Sequence, residues 1–193
     1  MKAELIINNT TLKLGHKELN EISYILDDCP TTKDIYHEMA QLASTETRTN
    51  IASQNYLHKK TIALLMSDSQ TDVMRAVTSR DKFISEMTKE DIEKFIATGD
   101  SEILTNIVEN ISELTEEYEI CEKDWLCEKL FQQITDPLVK YELASTGETS
   151  RLILKKLIND SDISVSQAAK TTLEDLDFET DEEEDEEEED FSL

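Results

Sequence analysis

The stretch Ile134-Thr-Asp-Pro-Leu-Val-Lys-Tyr-Glu-Leu-Ala-Ser145 decides how this chain is read. It opens on a turn-forming Asp136-Pro137 pair, places Val139 and Leu143 four residues apart, and closes on the small residues Ala144 and Ser145. Aspartate suits a helix N-cap because its carboxylate accepts from the free amides of the first turn, and Pro137 falls where a missing amide costs nothing. Two apolar residues at that spacing form a short stripe on one face of a helix. The pattern returns at Thr47-x3-Ile51-Ala-Ser, Val73-x3-Val77-Thr-Ser, Ile103-x3-Ile107-Val-Glu and Val165-x3-Ala169. In chain order the five starts lie 26, 30, 36 and 26 residues apart, a period expected of stacked helical repeats.

Most of the other starts also follow acidic or turn-forming residues: Asp68-Ser-Gln-Thr-Asp72, Gly99-Asp100 and Asp160-Ser-Asp162. Second amphipathic stretches lie between them, at Ile35-x3-Met39-x2-Leu42, Ile62-x2-Leu65, Ile92-x2-Phe95-Ile96, Leu126-x3-Leu130 and Leu154-x2-Leu157. Each repeat therefore reads as a helix pair. One pair cannot bury its apolar face alone, so neighbours stack into a continuous core and leave an extended surface for a partner. With three glycines and two prolines in 193 residues, the chain is expected to be all-α, a short helical-repeat solenoid over residues 20–176. An irregular globular helical domain is the alternative. The start differs: Glu4-Leu-Ile-Ile-Asn-Asn-Thr-Thr-Leu-Lys-Leu14, within a cap over residues 1–19, reads as two short strands around Asn8-Asn9 or as a frayed helix. Asparagine can enter positive φ in a tight turn, which is what the hairpin needs.

The run Cys29-Pro-Thr-Thr-Lys-Asp-Ile-Tyr-His-Glu-Met-Ala-Gln-Leu-Ala-Ser44 resembles the turn, second helix and next start of a leucine-rich variant repeat, a short relative of HEAT repeats. Leu65-Met-Ser-Asp-Ser-Gln-Thr-Asp-Val-Met-Arg-Ala-Val-Thr-Ser79 and Ile134 to Ser145 are similar to that family's Asp-x-x-x-Val-Arg-x-x-Val/Leu-Ala core. The resemblance covers about five repeats with a degenerate first one around Ile22 to Leu26, and its spacing stretches to 36 around Ile111 to Trp125. It implies an α-solenoid with a protein-binding surface. Some members carry an iron–sulfur segment with clustered cysteines; this chain has no such cluster, so no cofactor is expected.

Charge narrows the functional classes. The chain holds 44 acidic and 19 basic residues, net −25; from Glu174 onward there are 14 acids and no base, which leaves net −11 for residues 1–173. Nucleic-acid binders neutralise phosphates with Lys and Arg, so direct nucleic-acid binding is not expected, and anionic membranes are disfavoured for the same reason. A HEAT-like DNA glycosylase would need a basic face that these residues cannot assemble. No run of 18 apolar residues occurs, and Met1 to Asn8 lacks the apolar stretch of a signal peptide, so a cytoplasmic protein is expected. Cys29, Cys121 and Cys127 are odd in number and scattered, which agrees with a reducing compartment. The Asn-x-Ser/Thr matches at Asn8, Asn9, Asn110 and Asn159 then carry no weight.

No catalytic residue stands out. Carboxylate pairs such as Asp27-Asp28 and Glu116-Glu117 are expected by chance among so many acids, and no nucleophile elbow, phosphate loop or metalloprotease motif occurs. Of the three histidines, His37 and His58 read as surface positions repeated by the architecture, with no further ligand at a metal-binding spacing. Cys121 and Cys127 read as core thiols. Within the longest interval, Tyr118, Trp125 and Phe131 offer an aromatic partner contact, against which stands core filling where the stacking is irregular.

The tail over residues 177–193 is expected to be disordered, since ten consecutive acids from Asp181 to Asp190 repel one another and bring no apolar area. Asp181, Glu182, Glu183, Glu184 and Asp185, with the terminal Phe191 and Leu193, form a candidate ligand for a basic groove holding an apolar pocket; solvation is the competing role. The chain is thus expected to be a non-enzymatic adaptor or regulator whose protein partner has a basic surface. A nucleic-acid-mimic inhibitor of a nuclease or DNA-binding enzyme is the second class, because carboxylates on a rigid scaffold can imitate a phosphate row. A helical-repeat enzyme ranks last.

Overall fold

The computed structural model describes residues 3–42 and 44–190, the side chains of residues 3, 5, 7, 42 and 179–190 excepted. The chain divides into two compact units, Met1–Thr98 and Gly99–Leu193, so the expected repeat region spans both.

The first unit opens with a hairpin, β1 (Ala3–Ile7) and β2 (Thr10–Leu14), antiparallel with Ile7 opposite Thr10. This register leaves Asn8 and Asn9 as a two-residue loop, and both take positive φ, 47° and 64°. A turn with two such residues matches the right-handed twist of the strands it joins. Helices follow: α1 (His16–Ile25), α2 (Lys33–Leu42), α3 (Thr45–Ala52), α4 (Lys59–Met66), α5 (Thr71–Thr78), α6 (Asp81–Ile84) and α7 (Lys89–Ile96). Helices α1, α3 and α5 pack side by side in one layer, α2 lies beside α4 in the other, and α3 touches both. The degenerate first repeat is therefore α1. Ser44 Oγ accepts from the Thr47 amide, and Thr88 with Asp91 closes a capping box, so both starts are fixed by their own sequence. Tyr36, Ile51, Leu65, Val73, Val77, Phe83 and Phe95 are completely inaccessible and form the core. Burying one such side chain is worth about 1.5–3 kcal/mol.

The second unit contains α8 (Ser101–Glu109), a π-helical turn at Glu113–Glu117, α9 (Lys123–Gln133), α10 (Pro137–Ser145), α11 (Arg151–Leu157) and α12 (Ile163–Asp190). Helices α8, α10 and α12 adjoin in sequence order, α9 pairs with α11, and α11 rests on α12. Asp100 and Asp136 accept from the amides of Ile103 and Leu138, and Pro137 occupies the first turn of α10, as their sequence predicts.

Every residue of the five aligned pairs is buried, from Thr47 and Ile51 to Val165 and Ala169. Repeat spacing has a local cause: the 30-residue interval holds the extra turn α6, and the 36-residue interval holds the π-helical turn. The backbone of α12 continues through the acidic block to Asp190, so the tail expected to be disordered shares that helix as far as it is described. Glutamate is a good helix former, and a packed helix needs no new nucleus to extend. Residues 179–190 contain no apolar side chain and so cannot form a core of their own. Among the described residues no helix is long and apolar enough to cross a membrane.

Candidate functional site

Placing the five first helices on a common register shows what each presents outside the core. Relative to the first buried residue of each pair, the positions one before and two after are exposed or half-exposed. They are Glu46 and Thr49 in α3, Asp72 and Arg75 in α5, Glu102 and Thr105 in α8, Leu138 and Tyr141 in α10, and Ser164 and Gln167 in α12. Four of the five helices carry polar residues there, although the Thr49 Oγ1 is itself buried without a hydrogen-bond partner. Helix α10 shows two large apolar ones, with Leu138 75% and Tyr141 42% exposed. Local helix formation does not require them, because the polar residues at the equivalent positions serve as well.

Beside these side chains runs a groove of about 490 Å³, lined by Tyr141 and Ser145 of α10 and by Ser164, Gln167, Ala168, Thr171, Thr172 and Asp175 of α12. Helical spacing puts Leu138, Tyr141 and Ser145 on one stripe of α10, and Ser164, Ala168, Thr171 and Asp175 on one stripe of α12. Small side chains leave the space open. On its floor Thr172 Oγ1 donates to the Ala144 carbonyl at 2.8 Å, tying the two helices together. Asp175 is the one formal charge in the lining, an unusual neutrality in so acidic a chain. Phe178, 63% exposed, follows on the same stripe of α12.

The aromatic residues singled out from the sequence are distributed differently. Tyr118 follows the π-helical turn and is 37% exposed, while Trp125 and Phe131 are half-buried on α9. Six residues separate the latter two, about 240° around the helix, so they occupy different faces. Lys129 Nζ lies 5.9 Å from the Trp125 ring and Lys156 Nζ lies 5.5 Å from that of Phe131. Core packing occupies much of this interval: Ile111, Leu114 and Cys127 are inaccessible and Cys121 is buried. Burial pushes the Cys127 thiol pKa up despite the Ser150 amide donating to its Sγ at 3.4 Å. Lys123 braces the turn, 2.5 Å from Glu116 and 3.2 Å from Glu148. Burial alone would lower its pKa, but the two carboxylates more than offset that and raise it. Of the tail residues, Asp181, Glu182, Glu183, Glu184 and Asp185 lie on the α12 backbone with undescribed side chains, and Phe191 and Leu193 lie outside the described residues.

The two histidines read as equivalent surface positions are not equivalent. His37 is buried within α2, its Nδ1 2.9 Å from Thr61 Oγ1 and its Nε2 2.8 Å from Gln41 Nε2. The Gln41 amide nitrogen can only donate, so this contact favours a neutral ring with its proton on Nδ1; burial, then the Lys60 charge, holds its pKa below the ordinary value. His58 instead stands at the N-cap position of α4 without a capping side-chain bond, its Nε2 2.7 Å from Asp34 Oδ1. The 21 residues between them match no repeat interval, so one falls inside a helix and the other before one. Among the described residues, no three His, Cys, Asp or Glu side chains stand together as a metal site.

Two ion pairs that sequence reasoning missed hold the repeats in register. Arg48 reaches Asp68 from two nitrogens, at 2.5 and 3.3 Å, and Lys140 reaches Asp160 at 3.0 Å. In each pair a base one position beyond the first buried residue meets an Asp twenty residues later, which also accepts the amide two residues on, Gln70 or Asp162. Burial would raise the Asp68 pKa, but Arg48 and the Gln70 amide bring it below the usual carboxylate value; the Asp162 amide and Lys140 do so for Asp160. The shared offset of twenty was the available signal. Elsewhere in the first unit, Lys82 buries its Nζ without a hydrogen-bond partner, and burial, then the Arg80 charge, pushes its pKa down to about 8. Nearby Asp28 opposes that shift while accepting from the amides of Asn55 and Tyr56 at 2.7 and 3.0 Å.

Compared with known proteins, the chain matches no family model, no curated protein and no solved structure.

Proposed function

We propose that this chain is a non-enzymatic protein-interaction module, an adaptor or regulator of the HEAT and leucine-rich variant kind, acting in the cytoplasm on a partner with a basic surface. The observation that carries the reading is the substitution of Leu138 and Tyr141 for polar side chains at a repeated surface position. Exposed large apolar residues beside a groove bring no benefit to the folded chain alone, and tyrosine is enriched among residues that dominate binding energy. The acidic helix beyond the groove supplies long-range attraction for a cationic partner.

The mimic reading draws on Glu46 and Asp72, which repeat a carboxylate at the same position in α3 and α5. In the second unit the same position keeps a carboxylate at Glu102 and loses it at Leu138 and Ser164, so α10 and α12 carry no carboxylate there. Affinity purification from native lysate tests the proposal. The full chain is expected to retain a basic protein that Leu138→Ser with Tyr141→Ser does not. Equal retention by both would remove the adaptor reading, and a retained nuclease whose binding collapses with added salt would favour mimicry.

A further inference from the structure

We infer that the α10–α12 groove docks an amphipathic segment of a partner protein that places an apolar anchor beside Tyr141 and a cluster of lysines or arginines along α12. This rests on the interaction-module reading above and adds where the partner lies and what it must carry.

Three observations converge on such an occupant. Tyr141 lines the groove and Leu138 precedes it on the same stripe of α10, giving an apolar anchor its contact; the other four helices carry polar residues at these two register positions. Across the floor, Ser145, Ser164 and Ala168 are small enough for another backbone to approach closely, and neutral hydroxyls cost far less to desolvate than carboxylates. At one end lies Asp175, after which α12 runs fifteen residues to Asp190, about 22 Å at the helical rise. Those fifteen residues contain twelve acids and no base. Among those whose side chains are described, Asp177 pairs with the Arg151 guanidinium.

The charge pattern selects among occupants. Nucleic acid and anionic lipid are repelled along this helix, and a second copy of the chain would bring the same acidic segment and a net charge of −25 against it. A purely apolar ligand would use the groove and ignore the helix. A segment that is apolar at one end and cationic at the other satisfies both: the anchor supplies desolvated contact area, and the basic flank speeds encounter and fixes direction.

The test uses the isotope-labelled full chain and three synthetic peptides of about sixteen residues, a usable length for a short helix in a groove. One is lysine-rich with leucine and tryptophan anchors at helical spacing; the second has the anchors replaced by serine; the third keeps the anchors and replaces lysine with glutamine. The first peptide is expected to bind about tenfold or more tightly than either of the others. Its amide shifts should gather at residues 138–145 and 164–175. Leu138→Ser with Tyr141→Ser is expected to weaken it to the level of the second peptide while leaving the second unchanged, and Ala168→Tyr should do the same by filling the floor. Equal affinity of the first two peptides, or shifts gathered away from α10 and α12, overturns groove docking and leaves the basic-partner reading standing. Equal affinity of the first and third overturns the partner's cationic character. If neither lysine-rich peptide binds, both the groove and the basic-partner reading fall.

Discussion

The repeat that runs from α3 to α5 and the repeat that runs from α10 to α12 share a plan and differ in what they show to solvent. Both span 26 residues between equivalent starts, both bury an apolar residue four positions on and an alanine after it, and both close with a base-to-Asp pair twenty residues apart. Outside, Glu46 and Thr49 in one become Leu138 and Tyr141 in the other. Inner positions are constrained because stacking must bury them; outer positions are free to vary without loss of fold. The difference therefore carries information about binding that the similarity cannot.

Shared architecture implies shared cost, and this sets the largest expected effects. Ile51→Ala and Leu143→Ala, both at fully inaccessible sites, should each lose about 2–5 kcal/mol in denaturant unfolding. A loss under about 1 kcal/mol at either site would break the equivalence of the two repeats. Next come the ion pairs. Asp68→Asn and Asp160→Asn should each cost about 1–3 kcal/mol, because a partly buried base is left without its carboxylate. Asp68 should cost more, since Arg48 donates to its carboxylate from two nitrogens. Both carboxyls have folded pKa values below 3.8, so their contribution is fully present above that pH and is lost as pH falls through the folded values.

A smaller effect separates the interiors. Lys82 has a folded pKa of about 8 against 10.5, so its unfolded form holds the proton more tightly. Its charge thus costs stability at and below neutral pH, and the cost fades as pH rises from about 8 toward 10.5. Lys82→Met should stabilise the chain by up to about 1 kcal/mol at neutral pH, a figure reduced for partial solvation, and should abolish the alkaline gain in a pH series of unfolding curves. His37, with its pKa below 6.5, acts in the same direction lower down: its contribution is lost as pH falls below 6.5. His37→Gln should flatten that loss. Smallest of all, Leu138→Ser and Tyr141→Ser should change unfolding free energy by under about 0.5 kcal/mol each, like Glu46→Ser. A large loss at Leu138 or Tyr141 would make them structural and erase the contrast with α3.

Much of the fold was legible because its causes are local. Asp136-Pro137 announces its helix, Asn8-Asn9 allows a tight turn without excluding a frayed helix, and the Val139–Leu143 stripe recurs closely enough to phase the other repeats. His37 was misplaced because burial depends on which helix packs above it, and Thr61 lies 24 residues away. Trp125, Tyr118 and Phe131 attracted attention for their size, yet Trp125 and Phe131 leave α9 in different directions. The groove left almost no mark: serine, alanine, threonine and glutamine are ordinary in a helix, and only register alignment makes Leu138 and Tyr141 stand out.

By itself, then, the sequence determined the helical period, the capped starts and the division between a less acidic body and a denser acidic end, all consequences of interactions within a few residues, and it left a hairpin and a frayed helix open at the start. Tertiary structure alone decided that Ser145 of α10 meets Ser164 and Ala168 of α12 across an open channel, that Arg48 finds Asp68, and that Lys82 is enclosed. Those outcomes depend on how stacked helices bring together side chains tens of residues apart, and no local preference encodes that distance.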